Sequence, residues 1–296
     1  MNFQEFADYV LGHMLDGWKE DADVSLHKIK KNNGVIYTDL SIREGDGTVA
    51  PAIYLEEYYE AYEKGTDPDQ IILEIRRRYE WSMSRIFLFD QDISDYKRIR
   101  DKLIYRLVSF DRNKDLLQSC PHIRLDDLAI TFRWLAHEDS VGISSALVSW
   151  QEMEMWGVSI QDIILDAHRN TERIFPGKIM AMEEFLQNIS AALPMPGGGI
   201  PMYIVTNVRM VNGASSILYE GFLRRFAKDH PGNFYIIPSS IHEVVLVPED
   251  MVEEPDHLAS VISQANEAVV QPEEVLSDSL YYYDADQDSI SLYQPD

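Results

Sequence analysis

The fold is decided by the stretch Phe234-Tyr235-Ile236-Ile237-Pro238-Ser239-Ser240-Ile241-His242-Glu243-Val244-Val245-Leu246-Val247, in which two apolar runs flank a short polar segment. Runs of β-branched and aromatic residues bounded by proline and serine are typical of strands. We therefore predict strands over 233–237 and 242–247, with the polar segment leading directly into the second strand.

Further strands and helices are predicted on both sides of this pair. A strand over 202–206 and a helix near 219–229 precede it, and a helix over 255–268 follows it. The chain then ends in a hairpin, because apolar and aromatic residues at 280–283 and 290–293 flank a polar turn. The sequence shows no regular alternation of strands and helices, so the expected class is α+β with mostly antiparallel sheets.

The N-terminal half begins with an amphipathic helix. Apolar residues recur at three- and four-residue steps over 2–19, which predicts a helix with one buried face. Paired strands over 23–43 follow, joined across Asn32-Asn33-Gly34, and Asp46-Gly47 indicates a second hairpin. Further elements are predicted as helices at 55–64, 68–86, 159–171 and 181–192, and as strands at 99–110, 127–136 and 143–149.

Three prolines and three glycines between Pro194 and Pro201 make the clearest break in the chain. Proline is excluded from helices and central strands, and glycine is entropically costly to order. We therefore predict a joint or mobile loop at 194–201, between an N-terminal region, 1–193, and an acidic C-terminal region, 202–296.

Composition limits the classes of function. The 296 residues carry 26 Lys and Arg against 50 Asp and Glu, a formal net charge of −24, which argues against direct binding to nucleic acid. A single cysteine, Cys120, cannot form an internal disulfide. The N-terminus lacks a basic segment, and no apolar run reaches the roughly 18 residues that span a bilayer. We expect a cytoplasmic protein with no membrane contact.

Negative charge is concentrated at the C-terminal end. After Lys228 the sequence holds 15 acidic residues and no Lys or Arg. One interpretation is an acidic face that meets a basic protein partner or mimics nucleic acid, and the other is a solvated surface that favours solubility.

Ser240 and His242 form the most suggestive polar cluster, with Glu243 in support. In an extended strand their side chains share one face, with the Cα atoms about 6 to 7 Å apart, which suits a hydroxyl nucleophile and its base. The competing interpretation is that the serines cap a turn after Pro238, since no glycines of a nucleophile elbow accompany them.

Other familiar sites are missing from the sequence, and we predict no cofactor and no metal. The triglycine segment lacks the Gly-Lys-Ser/Thr ending that cradles phosphates, and His-Glu-x-x-His does not occur. Asp284, Asp286 and Asp288 alternate like calcium ligands, but Ser289 replaces the required glycine, so a polar hairpin turn is expected. Cys120-Pro121-His122 is interpreted as a loop.

Several strings together resemble an uncharacterised domain-of-unknown-function family of clostridial and other Firmicutes bacteria. They are Leu128-Ala129-Ile130, the segments 154–159 and 201–207, Asn212-Gly213-Ala214, the segments 234–244 and 272–278, and Tyr281-Tyr282-Tyr283-Asp284. The resemblance covers essentially the whole chain and implies a bacterial cytosolic protein, but no activity. We predict a non-enzymatic binding or regulatory module for a protein partner. The alternative is a hydrolase or transferase in which Ser240, His242 and Glu243 are catalytic and the triglycine segment is a hinge or a lid.

Overall fold

The computed structural model describes residues 1–16, 18–19, 22–45, 51–86, 93–138, 142–189 and 200–294. The chain forms two compact units, an N-terminal unit, Met1–Gln91, and a C-terminal unit, Asp92–Asp296. Strands of both units pair antiparallel, as expected of the α+β class. Within the described residues, no helix is both long and apolar enough to cross a membrane.

The N-terminal unit packs three helices with a two-stranded sheet. Its elements are α1 (Phe3–His13), β1 (Ala22–Lys30), β2 (Ile36–Glu44), α2 (Leu55–Glu63) and α3 (Pro68–Ile86). The turn between β1 and β2 places Asn33 and Gly34 at φ +57° and +74°, the conformation that those residue types tolerate best. The core joins the apolar faces of α1, β2 and α3, with Phe6, Leu40 and Ile75 fully buried.

Helix α1 ends six residues earlier than the apolar periodicity predicts. The Arg76 guanidinium, from α3, donates to the carbonyl oxygens of His13, Met14 and Asp16, at 3.0 Å in each case. A side chain from another helix thus satisfies the carbonyls that a longer α1 would have used internally. The second predicted hairpin, at Asp46-Gly47, lies outside the described residues.

The C-terminal unit contains two antiparallel sheets. The four-stranded sheet comprises β3 (Leu103–Ser109), β4 (His122–Leu125), β5 (Leu128–Glu138) and β6 (Ile143–Leu147), with β3 on one side of β5 and both β4 and β6 on the other. The six-stranded sheet comprises β7 (Gly177–Ala181), β8 (Tyr203–Asn207), β9 (Phe234–Ile237), β10 (Val244–Pro248), β11 (Tyr281–Asp284) and β12 (Ser289–Leu292). Its order is β12-β11-β9-β10-β8-β7.

Seven α-helices are described in this unit: α4 (Tyr96–Ile99), α5 (Lys114–Gln118), α6 (Trp150–Trp156), α7 (Ile160–Ile174), α8 (Met182–Ile189), α9 (Phe222–Asp229) and α10 (Pro255–Val269). The sequence interpretation missed α6, although Ser149 and Glu152 form a capping box and Gly157 ends the helix at φ +65°. The sequence also predicts that a strand begins at residue 99. In the structure residue 99 is the last residue of the short helix α4, which Asp95 caps at its start.

The boundary between the two compact units lies at a different place in the sequence from the predicted joint at 194–201. The first unit ends at Gln91 and the second begins at Asp92 in the sequence, and β7 and β8, on either side of the predicted joint, are hydrogen-bonded neighbours. Gly177 lies opposite Asn207 in this pairing. The regions 1–193 and 202–296 therefore share a sheet, while most of the joint itself, 194–199, lies outside the described residues.

Candidate functional site

Residues 238–243 form a loop between β9 and β10, not the start of a strand. The Ser240 N–H donates to the Glu243 carbonyl oxygen at 3.1 Å, which closes a turn. The Ser240 hydroxyl donates to Glu243 Oε1 at 2.7 Å and accepts from the His242 N–H at 2.9 Å. Because Ser240 folds back on its neighbours, the predicted extended geometry of Ser240 and His242 is wrong, and β10 begins at Val244.

The His242 imidazole is held by residues from two other segments. Its Nδ1 accepts the Asn212 N–H at 3.1 Å, and its Nε2 lies 3.2 Å from Glu274 Oε1. Since Nδ1 is an acceptor here, the ring proton is on Nε2 and points to Glu274. Both ring nitrogens are thus engaged by groups other than a hydroxyl.

The backbone of loop 238–243 is also fixed by close contacts. The His242 carbonyl oxygen accepts from Thr206 Oγ1 at 2.8 Å, and the Ile241 N–H donates to the Glu274 carbonyl oxygen at 2.8 Å. Gly213 packs against the same carbonyl: a Cβ there would lie 2.6 Å from His242 O and 2.7 Å from Asn207 N. Only glycine allows this approach.

The structure therefore gives the side chains of the three predicted catalytic residues different partners: Ser240 bonds to Glu243, whereas His242 bonds to Glu274, which was not predicted. Ser240 is 4% exposed, so its hydroxyl is shielded from solvent as well as from the imidazole. A nucleophile needs its base within hydrogen-bonding reach and room for a substrate. Glu274 was missed by the sequence interpretation, because it lies 32 residues beyond His242 and no local spacing links them.

Of the segment predicted as a loop, Cys120 and Pro121 lie outside helices and strands, whereas His122 begins β4. His122 Nδ1 faces the Cys120 carbonyl oxygen at 3.1 Å, not the thiol. The thiol is buried, and burial raises its pKa to about 11. A thiol with a raised pKa is a poor nucleophile at neutral pH.

An apolar cavity of about 390 Å³ lies next to loop 238–243 in the C-terminal unit. Pro238, the first residue of the loop, and Val244, the residue that follows the loop, line this cavity. The other apolar wall residues come from both sheets, from α9 and the turn before it, and from the segment before β11: Leu107, Leu125, Leu128, Ile217, Leu218, Leu223, Ile236, Leu276 and Ile290. This volume matches the smaller ligand sites of proteins.

Polar groups line the same cavity. Asp126, Glu220 and Asp288 form what we call the acidic mouth, of which Asp126 and Glu220 are exposed. Tyr283 donates its hydroxyl to Asp288 Oδ1 at 2.8 Å, and Tyr281 donates to Asp127. Burial and these carboxylates raise the pKa of both tyrosines, so the phenols stay protonated and neutral.

One carboxylate of the acidic mouth is already paired, since Arg224 Nε lies 3.2 Å from Asp288 Oδ2. The alternating aspartates near it support the β11–β12 hairpin, where Asp284 Oδ1 accepts from the N–H groups of Asp286 and Gln287 at 2.9 Å each. The polar hairpin turn predicted for this segment is confirmed.

A sequence model of DUF5688, described as a family of unknown function, matches residues 3–285. The chain belongs to this family. No curated protein and no solved structure matches it significantly. The predicted resemblance to an uncharacterised family is thus confirmed, whereas the Firmicutes origin stays a prediction. The DUF5688 match includes loop 238–243 and the cavity wall as far as Tyr283.

Proposed function

We propose that this member of the DUF5688 family is a non-enzymatic binding module for a protein partner. The observation that carries the proposal is the apolar cavity with its acidic mouth. A large apolar side chain of the partner enters the cavity, and flanking Lys or Arg residues meet Asp126 and Glu220. Apolar anchors in pockets and complementary charges at the edge are the usual means of protein recognition.

Charge supports a basic partner. No Lys or Arg follows Lys228 in the sequence, and the exposed residues Asp250, Glu253 and Glu254 extend the negative surface of the C-terminal unit. Such a field raises the association rate of a basic segment and disfavours acidic ones.

Hydrogen bonding argues for binding over catalysis. The Ser240 hydroxyl and both ring nitrogens of His242 are already engaged, and these bonds hold the segment between Pro238 and Val244, two residues that line the cavity. We place the chain in the cytoplasm, where its single buried thiol needs no disulfide partner.

Display of random peptides on the purified full-length chain tests the proposal. Enriched peptides should carry a large apolar residue next to Lys or Arg. Ile290→Phe, which fills the cavity, should weaken the best peptide at least about tenfold, and Asp126→Asn with Glu220→Gln should weaken it about threefold, more at low salt.

Glu267→Gln is the matched control for the acidic mouth, because Glu267 is an exposed carboxylate on α10 that does not line the cavity. It should bind as the unchanged protein does. Failure to enrich any peptide, or enriched peptides that bind Ile290→Phe equally well, would refute the proposal.

The alternative is a hydrolase or transferase at Ser240 and His242. It requires the Ser240 hydroxyl to leave Glu243 and the imidazole to leave Asn212 and Glu274. A screen of ester substrates with the unchanged protein and Ser240→Ala tests it: turnover that disappears in the variant would favour the enzyme over the binding module.

A further inference from the structure

Two arginines lie side by side on one face of the four-stranded sheet. Arg106 of β3 is opposite Thr131 of β5, and Arg133 of β5 is opposite Ile104 of β3. Residues two apart on a strand share a face, so Arg106 and Arg133 are diagonal neighbours, with Cα atoms about 7 to 8 Å apart. We call them the arginine pair.

The surroundings of the arginine pair are largely apolar. Ile104, Val108 and Ala129 lie on the same face and are at most 2% exposed, and Thr131 between the two arginines is fully buried. A guanidinium is normally placed in such surroundings only with a carboxylate partner.

Neither arginine has a carboxylate partner among the described residues. Arg133 donates through Nε to Ser145 Oγ at 2.8 Å and through Nη2 to the Ser145 carbonyl oxygen at 2.6 Å. Arg106 Nε is buried and has no hydrogen-bond partner in the described part of the chain. Burial lowers the pKa of both groups, and the charge of Arg133 lowers that of Arg106 further.

Two neighbouring positive charges that are largely removed from water, with no counter-ion among the described side chains, favour the binding of an anion. Both residues are only partly buried, so a ligand reaches them from solvent. Ser145 engages Nε and Nη2 of Arg133, and its two bonds hold this guanidinium in place. Within the described part of the chain, Nη1 is left for a ligand.

We infer that Arg106 and Arg133 bind an oxyanion, the phosphate or carboxylate group of a small ligand, on the β3–β5 face. The planar fork of a guanidinium matches the oxygen spacing of both groups. The net charge of −24 does not prevent this, because at physiological salt charges more than about 8 Å away are largely screened. This site is distinct from the cavity, whose lining includes neither arginine.

Isothermal titration calorimetry of the full-length chain with sodium phosphate, and separately with sodium acetate, tests the inference in a constant background of sodium chloride. At least one of the two should bind saturably. Binding of phosphate but not acetate would indicate a phosphorylated ligand, and binding of acetate but not phosphate would indicate a carboxylate ligand. Binding of both anions would support the oxyanion chemistry that the two groups share.

Arg106→Met is the test variant and Arg98→Met is the matched control, since Arg98 is an exposed arginine of α4 whose loss changes the net charge equally. Binding should weaken at least tenfold in Arg106→Met and stay unchanged in Arg98→Met. If Arg106→Met fails to fold by circular dichroism, Arg106→Lys, which keeps the charge but loses the fork, should weaken binding instead. No saturable heat with either anion, or equal binding by the folded Arg106 variant, overturns the inference.

Discussion

Loop 238–243 and the arginine pair are two polar sites set beside apolar strands, and they differ in how their hydrogen bonds are used. In the loop, the Ser240 hydroxyl and the His242 ring bond to neighbouring protein groups. In the arginine pair, Arg106 Nε has no partner within the described residues. A buried polar group that is satisfied stabilises a fold, whereas an unsatisfied one costs free energy unless a ligand completes it. The Ser240 and His242 side chains thus bond to other groups of the protein, whereas Arg106 keeps a buried donor without a partner in the described part of the chain.

Gly213→Ala should give the largest effect on the loop. The new Cβ would collide with the backbone at His242 O and Asn207 N, so we expect a loss of about 3 kcal/mol in the free energy of unfolding. Urea denaturation followed by circular dichroism measures it. Gly142→Ala is the control, because its Cβ meets nothing within 4 Å and should change stability by less than about 0.5 kcal/mol. Equal stability of the two variants would show that loop 238–243 is loosely held.

Ser240→Ala should give the second largest loss of stability. It leaves the His242 N–H without its acceptor in a buried site, and we expect about 2 kcal/mol of destabilisation by the same measurement. Ser239→Ala is a close control, since Ser239 is adjacent and only partly buried. If Ser240→Ala were neutral in stability, the structural role assigned to this hydroxyl would be wrong.

Arg106→Met should raise the free energy of unfolding, whereas the two preceding variants lower it. Replacing a poorly compensated guanidinium by an apolar side chain of similar length removes its desolvation cost, so the variant should be about 1 kcal/mol more stable in the absence of added anions. Thermal unfolding in phosphate-free buffer checks this. A variant less stable than the unchanged protein would mean that the guanidinium is satisfied within the fold, and the contrast between the two sites would disappear.

Glu274→Gln should give the smallest change. The amide oxygen still accepts from His242 Nε2, and the Glu274 side chain is 38% exposed, so only charge assistance is lost. We expect about 0.5 kcal/mol of destabilisation. Glu267→Gln, on the surface of α10, should not change the free energy of unfolding measurably. A loss above about 2 kcal/mol for Glu274→Gln would assign the carboxylate a larger role than a neutral hydrogen bond provides.

Local patterns predicted most elements but not how they end or pair. The terminal hairpin and the helix that begins at Pro68 were predicted because turn chemistry and capping act within a few residues. The end of α1 was missed because Arg76, more than 60 residues away, satisfies its last carbonyls. The position of the chain division was missed because β7 and β8 pair across a segment that composition alone marks as a break.

For the candidate sites, too, local sequence did not predict the partners that residues find in the fold. Ser240, His242 and Glu243 stood out because they are adjacent in sequence, yet the partner of His242 is Glu274. The cavity and the arginine pair gave no signal, since their residues come from separate strands whose order local sequence does not encode.

By itself the sequence determined the α+β class, most helices and strands, and the concentration of negative charge after Lys228, because periodicity, turn residues and composition are local properties. Only the tertiary structure decided that the Ser240 hydroxyl and the His242 imidazole are hydrogen-bonded to other groups of the protein. It also decided that Arg106 and Arg133 share one face of a sheet. The physical reason is that hydrogen-bond satisfaction depends on which strands and loops become neighbours, and this follows from packing the whole chain.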